Sequence, residues 1–308
     1  MFIVNHRKIF FSISAILVAL SLFSIFNFGL KLGVDFTGGS ILEITYKNSI
    51  PEQGEVLKTV ESSGVEQVVV RQAGEDGYII KTEVITDAQK NIILENLTSE
   101  SLESNEISVE RFNTVGPTLG DELKTKASIA LVVLIIVIIF FIAYTFRHVS
   151  KPVSSWKYGF TAIIALIHDV LITLGVFTFL GGVYGIEIDT LFVTALLVIL
   201  GYSINDTIVV LDRVRENLRD QKDEVKEKNF DTFVGRSLNE TFSRSINTSI
   251  TTLLALLALY FIGGIATQTF ALALIIGVIA GSYSSLFLAA PLLVVFKNKQ
   301  KAKKEVDA

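Results

Sequence analysis

Cysteine is absent from all 308 residues, which excludes disulfides and thiolate metal sites and leaves the redox compartment open. Phosphate-binding chemistry is missing too: no Walker-type loop occurs, so nothing is built to bind ATP. Charge is scarce over long stretches. Half of the residues are hydrophobic and the mean hydropathy is +0.55. The apolar residues gather in runs long enough to cross a hydrocarbon core, which takes about 20 helical residues. A soluble domain has too little interior volume to hide that much apolar side chain, and soluble α/β enzymes show short runs of strand length instead. The net charge of −4 decides little by itself; its distribution decides the topology.

Six spans are predicted, at 9–30, 127–146, 157–180, 187–211, 246–264 and 269–296. The first is long and no Ala-x-Ala site follows it, which favours an uncleaved span over a signal peptide. Segment 31–126 holds 17 acids and 9 bases, whereas Arg7 and Lys8, then Arg147, Lys151 and Lys157, then the loop 212–245 and five lysines of the tail 297–308 carry the remaining bases. Lys and Arg in short loops mark the cytoplasmic side. Both termini are therefore expected inside and segment 31–126 outside, and the alternation closes without contradiction.

Segment 31–126 reads as a folded domain. Strand patterns at 40–47, 65–72, 77–84 and 106–113 alternate with two helical stretches. Pro51 opens the first, and Thr86 with Gln89 forms a capping-box pattern ahead of the second. The order β-α-β-β-α-β is ferredoxin-like. The fold class is thus a polytopic α-helical membrane protein of six transmembrane helices with one extracytoplasmic α+β domain. That domain has no metal-ligand spacing, phosphate loop or nucleophile–base pair, so binding or docking fits it better than catalysis; a passive spacer is the alternative.

Four acids fall within or beside the spans. A charge at mid-membrane costs about 2.5–3.5 kcal/mol on insertion scales, so each needs a reason. Glu187 and Asp189 sit at the start of the fourth span, where Asp189 ahead of Thr190 reads as a helix N-cap. Asp206, in Gly201-Tyr-Ser-Ile-Asn-Asp-Thr207, lies roughly 7–8 Å inside the helix end expected at Leu211. It is too short to snorkel that far and is expected to face protein or a water-filled cavity, as a transport site or as an interhelical bond. His168-Asp169 is either a proton-passing dyad or a packing pair. Arg244 opens the fifth span at a similar depth. It is read either as a partner of Asp206, released when a proton arrives, or as a side chain snorkelling to the headgroups. The hydroxyls and amides that follow it, to Thr252, are expected to face the bundle interior. Gly277 and Gly281 mark close helix packing, and Phe230, Phe233, Val234, Leu238 and Phe242 read as an amphipathic helix on the inner membrane surface. A catalytic Asp169–Asp206 dyad, as in intramembrane aspartyl proteases, is a rival reading, but the flanking residues His168 and Asn205 differ from that motif. A small-molecule efflux unit is another, for which an outer domain of this size is small.

The motifs Gly33-Val-Asp-Phe-Thr-Gly-Gly39, Val115-Gly-Pro-Thr-Leu-Gly-Asp-Glu-Leu123, Ala165-Leu-Ile-His-Asp169, Gly201 through Asn217, Leu238 through Ser249 and Gly281-Ser-Tyr-Ser-Ser285 come in order along the chain. Together they resemble the SecD/SecF family of bacterial protein-export membrane subunits, of the RND superfamily, over almost the whole length. The Asn205-Asp206 pair puts the likeness on the SecF branch. The resemblance implies a subunit, not an enzyme, of the bacterial cytoplasmic membrane. It would pair with SecD beside the SecYEG channel and its SecA motor, with YajC and YidC as further partners, and act on preproteins. No nucleic acid, metal or cofactor is implied; the proton gradient is the energy source. By the same likeness Asp206, Arg244, Asn205, Asp169 and His168 belong to a proton pathway, and Asp35, Gly38, Gly39, Gly116 and Pro117 to conformational coupling near the outer membrane surface.

Overall fold

The structure is a computed structural model that describes residues 2–47, 49–100, 106–147, 155–220 and 230–297. Lys151, the middle of the 212–245 loop and the tail beyond Lys297 lie outside the described residues. The chain divides into two compact units. One comprises Leu32–Ile129 with Glu187–Thr190, the other Met1–Lys31, Ala130–Ile186 and Leu191–Ala308.

The α+β unit begins with the single turn α3 (Val34–Thr37), preceded in the chain by α1 (Phe2–Asn5) and α2 (Arg7–Phe28). It continues through β1 (Gly39–Tyr46), α4 (Gln53–Ser62), β2 (Val69–Ala73), β3 (Gly77–Thr82), α5 (Asp87–Glu100) and β4 (Ile107–Val115). The sheet order is β2-β3-β1-β4 with every neighbour antiparallel, so β3 splits the β1-α4-β2 unit as the ferredoxin-like connectivity requires. Period-2 alternation explains the core: Leu42, Ile44 and Tyr46 of the central strand β1 bury against Val56 and Val60 of α4 and Ile93 and Leu97 of α5. The capping box forms, Thr86 N–H donating to Gln89 Oε1 at 2.9 Å and Gln89 N–H to Thr86 Oγ1 at 3.3 Å.

The strands β1, β3 and β4 fall within two residues of expectation, and two differences have a local cause. Strand β2 starts four residues later than 65 because Gly64 and Gln67 hold positive φ of 77° and 55°, which turns the chain after α4 before extended pairing can start. Pro51 precedes α4 rather than occupying its first turn; Glu52 is the N-cap.

Among the described residues, six helices are long and apolar enough to cross a membrane. They are α2, α6 (Pro117–Thr145, whose first turns belong to the α+β unit), α7 (Ser155–Tyr184), α8 (Thr190–Asp220), α9 (Phe230–Ile262) and α10 (Ile265–Tyr283). The last continues through a π-helical turn, Ser284–Ala289, to Lys297. Their order matches the six expected spans, but α8 and α9 are longer. Helix α8 runs nine residues past Leu211 and α9 begins fifteen before Ser245, so Asp206 sits in mid-helix rather than near an end. The apolar stripe on residues 230–242 is a correction as well. It is no separate surface helix: Phe230, Phe233, Val234 and Leu238 are the start of α9 and are buried with Val210, Leu211, Val214 and Leu218 of α8. Protein offers those side chains a drier and closer partner than a headgroup layer does. Phe242, at 38 % exposure, stays outside that cluster.

Burial holds the Glu43 carboxyl of β1 above its ordinary 4.5; Arg111 opposes this and Glu110 adds to it. The native state then keeps a proton that the unfolded chain has already released, so stability falls as pH rises from 4.5 through the folded value. Glu43→Gln removes that titration. The variant is expected to melt higher at neutral pH and to lose pH dependence in that window; a melt that tracks the parent at every pH contradicts this origin.

Candidate proton site in the membrane bundle

Each of the two buried carboxylates of the bundle is held by hydroxyls from neighbouring helices. Asp206 on α8 is 9 % exposed. It accepts from Ser245 Oγ of α9 at 2.6 Å on Oδ1 and from Ser285 Oγ of the π-helical turn on Oδ2. Asp169 on α7 is 1 % exposed. Its Oδ2 accepts from Ser203 Oγ of α8 at 2.5 Å and from Ser284 Oγ at 2.7 Å. Its Oδ1 lies 2.9 Å from Nδ1 of His168. The other nitrogen, Nε2, is buried without a partner, and the ring stacks on Tyr283 at 6.0 Å. A second layer of hydroxyls surrounds Asp206: Ser249 is 2.6 Å from Ser282 and accepts from Tyr202 OH at 3.2 Å.

Local sequence accounts for this convergence. Ser245 and Ser249 are four apart on α9 and share a face; both are buried, whereas Arg244, Asn247, Thr248 and Thr251 are exposed. The expectation that this polar run turns wholly inward is corrected: Thr248 and Thr251 bond to carbonyls of their own helix instead. Helix packing supplies the closeness. A Cβ on Gly277 would collide with Ile199 of α8, and one on Gly281 would lie 3.2 Å from Ser203 Cβ.

The expected Asp206–Arg244 ion pair is not formed. Arg244 is exposed, and its neighbour Ser245 meets the carboxylate, because consecutive helical residues point about 100° apart. Asn205 is exposed by the same rotation. Asp169 and Asp206 share no hydrogen bond, so the shared-proton arrangement of an aspartyl protease is absent. In the sequence Ser284 and Ser285 stand out only as the end of the Gly281–Ser285 motif, and Ser203 and Ser245 are not singled out. The one available hint was a run of small hydroxyls beside apolar spans.

The coupling motifs meet one another in the α+β unit. Gly39 pairs with Val115 across β1–β4. Gly38 (φ 80°) packs so closely on Pro117 that a Cβ would sit 3.0 Å from its Cα, and Gly120 N–H bonds to the Gly116 carbonyl beside Phe36. Asp35 caps the start of α8: its Oδ2 accepts from Thr190 N–H at 3.0 Å and Thr190 Oγ1 at 2.6 Å. Glu187 is more than a helix-start acid, since it pairs with Arg71 at 3.1 Å and with Lys81. Burial pulls the Lys81 ammonium below its ordinary value, and Glu187 partly restores it.

The six apolar helices, the hydroxyl-held carboxylates Asp169 and Asp206 inside them and the ferredoxin-like unit define a polytopic membrane protein with ionisable groups buried in its bundle. A sequence model described as protein export membrane protein SecD/SecF, C-terminal, matches residues 95–299, and the SecD/SecF GG motif matches 23–50. The chain belongs to the SecD/SecF family. It is 38 % identical to protein translocase subunit SecF of Thermobaculum terrenum over 96 % of this chain and 94 % of that one. It is 36 % identical to SecF of Sebaldella termitidis over 98 % and 94 %. The crystal structure of the translocon-associated membrane protein SecDF of Thermus thermophilus aligns with a TM-score of 0.80 at 32 % identity, covering 96 % of this chain. A super-membrane-facing form of SecDF aligns with 0.68 over 99 %. The chain spans 38 % and 40 % of those two longer chains.

Replacing Asp35 by Ala removes the cap of α8 and is expected to destabilise that first turn by about 0.5–2 kcal/mol. Hydrogen exchange should speed up at Thr190 and its neighbours; unchanged exchange there removes Asp35 from the capping role.

Proposed function

We propose that this chain is a SecF-type translocase subunit that pairs with SecD in the cytoplasmic membrane and couples the proton-motive force to protein export. The observation that carries the reading is Asp206: buried in mid-helix and bonded to hydroxyls of two other helices. Its SecF and SecDF relatives supply the context of export. When Asp206 is ionised both serines donate to it. When it takes a proton, one of its oxygens becomes a donor and the set of bonds between α8, α9 and the π-helical turn must change. One charge crossing 100 mV releases about 2.3 kcal/mol, so a few protons suffice for a sizeable domain movement. The movement reaches the α+β unit through the chain segments that carry Asp35, Gly38, Gly39, Gly116 and Pro117.

Two further features favour partners within the membrane. Arg244 and Asn247 stand on an exposed face of α9, where hydrocarbon is a poor neighbour for either; SecD fits as its cover. The Thermus relative, in which the matching stretch is part of one SecDF chain, favours the same pairing. The distribution of Lys and Arg favours cytoplasmic termini and an α+β unit on the outer face. Preproteins, the SecYEG channel, SecA, YajC and YidC complete the proposed set of partners.

Asp206→Asn in inverted membrane vesicles is expected to cut gradient-dependent export more than about tenfold, equivalent to about 1.4 kcal/mol, while ATP-driven export without a gradient persists. Undiminished gradient dependence removes Asp206 from the mechanism.

A further inference from the structure

Ser284 and Ser285 are consecutive, both fully buried, and placed where the sixth span turns π-helical. Such turns recur at functional sites, because they re-aim side chains within an otherwise regular helix. Here they send two neighbouring hydroxyls to two different helices: Ser284 to Asp169 of α7 and Ser285 to Asp206 of α8. Each serine has one proton and two acceptors in reach. Besides its carboxylate, Ser284 Oγ lies 3.2 Å from the Gly281 carbonyl, and Ser285 Oγ lies 3.2 Å from the Ser282 carbonyl.

The geometry points to Ser284 and Ser285 as a pair of positioning residues that couple the protonation of Asp206 to that of Asp169 through the π-helical turn. This deepens the reading of Asp206 as the proton acceptor and rests on it. With Asp206 ionised, Ser285 donates to Oδ2. When a proton arrives on that carboxyl, its O–H becomes the donor, Ser285 Oγ becomes the acceptor, and the serine proton swings to the Ser282 carbonyl. No covalent bond changes other than the O–H formed. Ser284 shares the same turn of backbone, so re-bonding at one serine alters the hold of the other on Asp169. The titratable or charged side chains of these helices within four residues of the two carboxylates and their serine partners are His168 on α7, Tyr202 on α8, Arg244 on α9 and Tyr283 on α10. Of these four, His168 is the one with a hydrogen bond to Asp169 or Asp206 among the described residues. Helix α2 carries no ionisable side chain between residues 9 and 28.

Infrared difference spectroscopy on the full-length chain in lipid vesicles tests this, with the two carboxyl bands assigned by their loss in Asp206→Asn and Asp169→Asn. Ser285→Ala removes a donor that favours the ionised form, and is expected to tighten proton binding at Asp206 about tenfold and to move the Asp169 titration as well. Ser285→Thr, which restores the hydroxyl, should return both. Ser203→Ala takes a donor from Asp169 without touching the π-helical turn and should move the Asp169 band, with a smaller shift at Asp206 because coupling is reciprocal. If Asp206 titrates but Ser285→Ala leaves Asp169 unmoved, the coupling proposal falls and the proton-acceptor reading stands. If Asp206 shows no titrating band, both fall.

Discussion

A carboxylate buried among membrane helices has to be met by donors, and every other feature of the bundle follows from how that is done here. An isolated buried charge costs several kcal/mol even after relaxation. Asp206 and Asp169 meet the requirement with serine hydroxyls rather than with a cation. The difference is consequential. A fixed Arg partner holds a carboxylate ionised, whereas a hydroxyl both donates and accepts and serves either protonation state. Small donors also demand close helices, which is why Gly277 and Gly281 lie against Ile199 and Ser203.

The α+β unit solves the same problem at its own buried polar groups, with partners distant in sequence. Asp35 satisfies the first N–H of α8 from 155 residues away. Glu187 is neutralised by Arg71 and Lys81 of the sheet. The glycines of the first motif are there for space and for backbone: a Cβ on Gly39, already at φ 127°, would lie 2.7 Å from the Thr82 carbonyl.

Much of this was legible in the sequence, for identifiable reasons. Spans announce themselves because hydrocarbon admits only long apolar helices, and the ferredoxin-like order showed through strand alternation and the Thr86–Gln89 box. The importance of Asp206 was readable because an acid in a span needs a reason. Its partner was not. A two-body electrostatic argument selects Arg244, while helical phase, invisible without knowing which face of α9 turns inward, selects Ser245. Helix ends failed in the same direction for α8 and α9. Charged residues past Leu211 and before Ser245 read as loop, yet Asn217, Arg213 and Glu240 bond across the two helices while the apolar stripe packs beneath them. The π-helical turn left no mark beyond a run of serines.

The central claim is that Asp206 moves a proton within the membrane field. Charge displacement after a rapid pH jump, recorded from reconstituted protein on a solid-supported membrane, measures that event without requiring export. The account predicts a transient current in the parent protein that vanishes with asparagine at position 206. An undiminished current in that variant would contradict it.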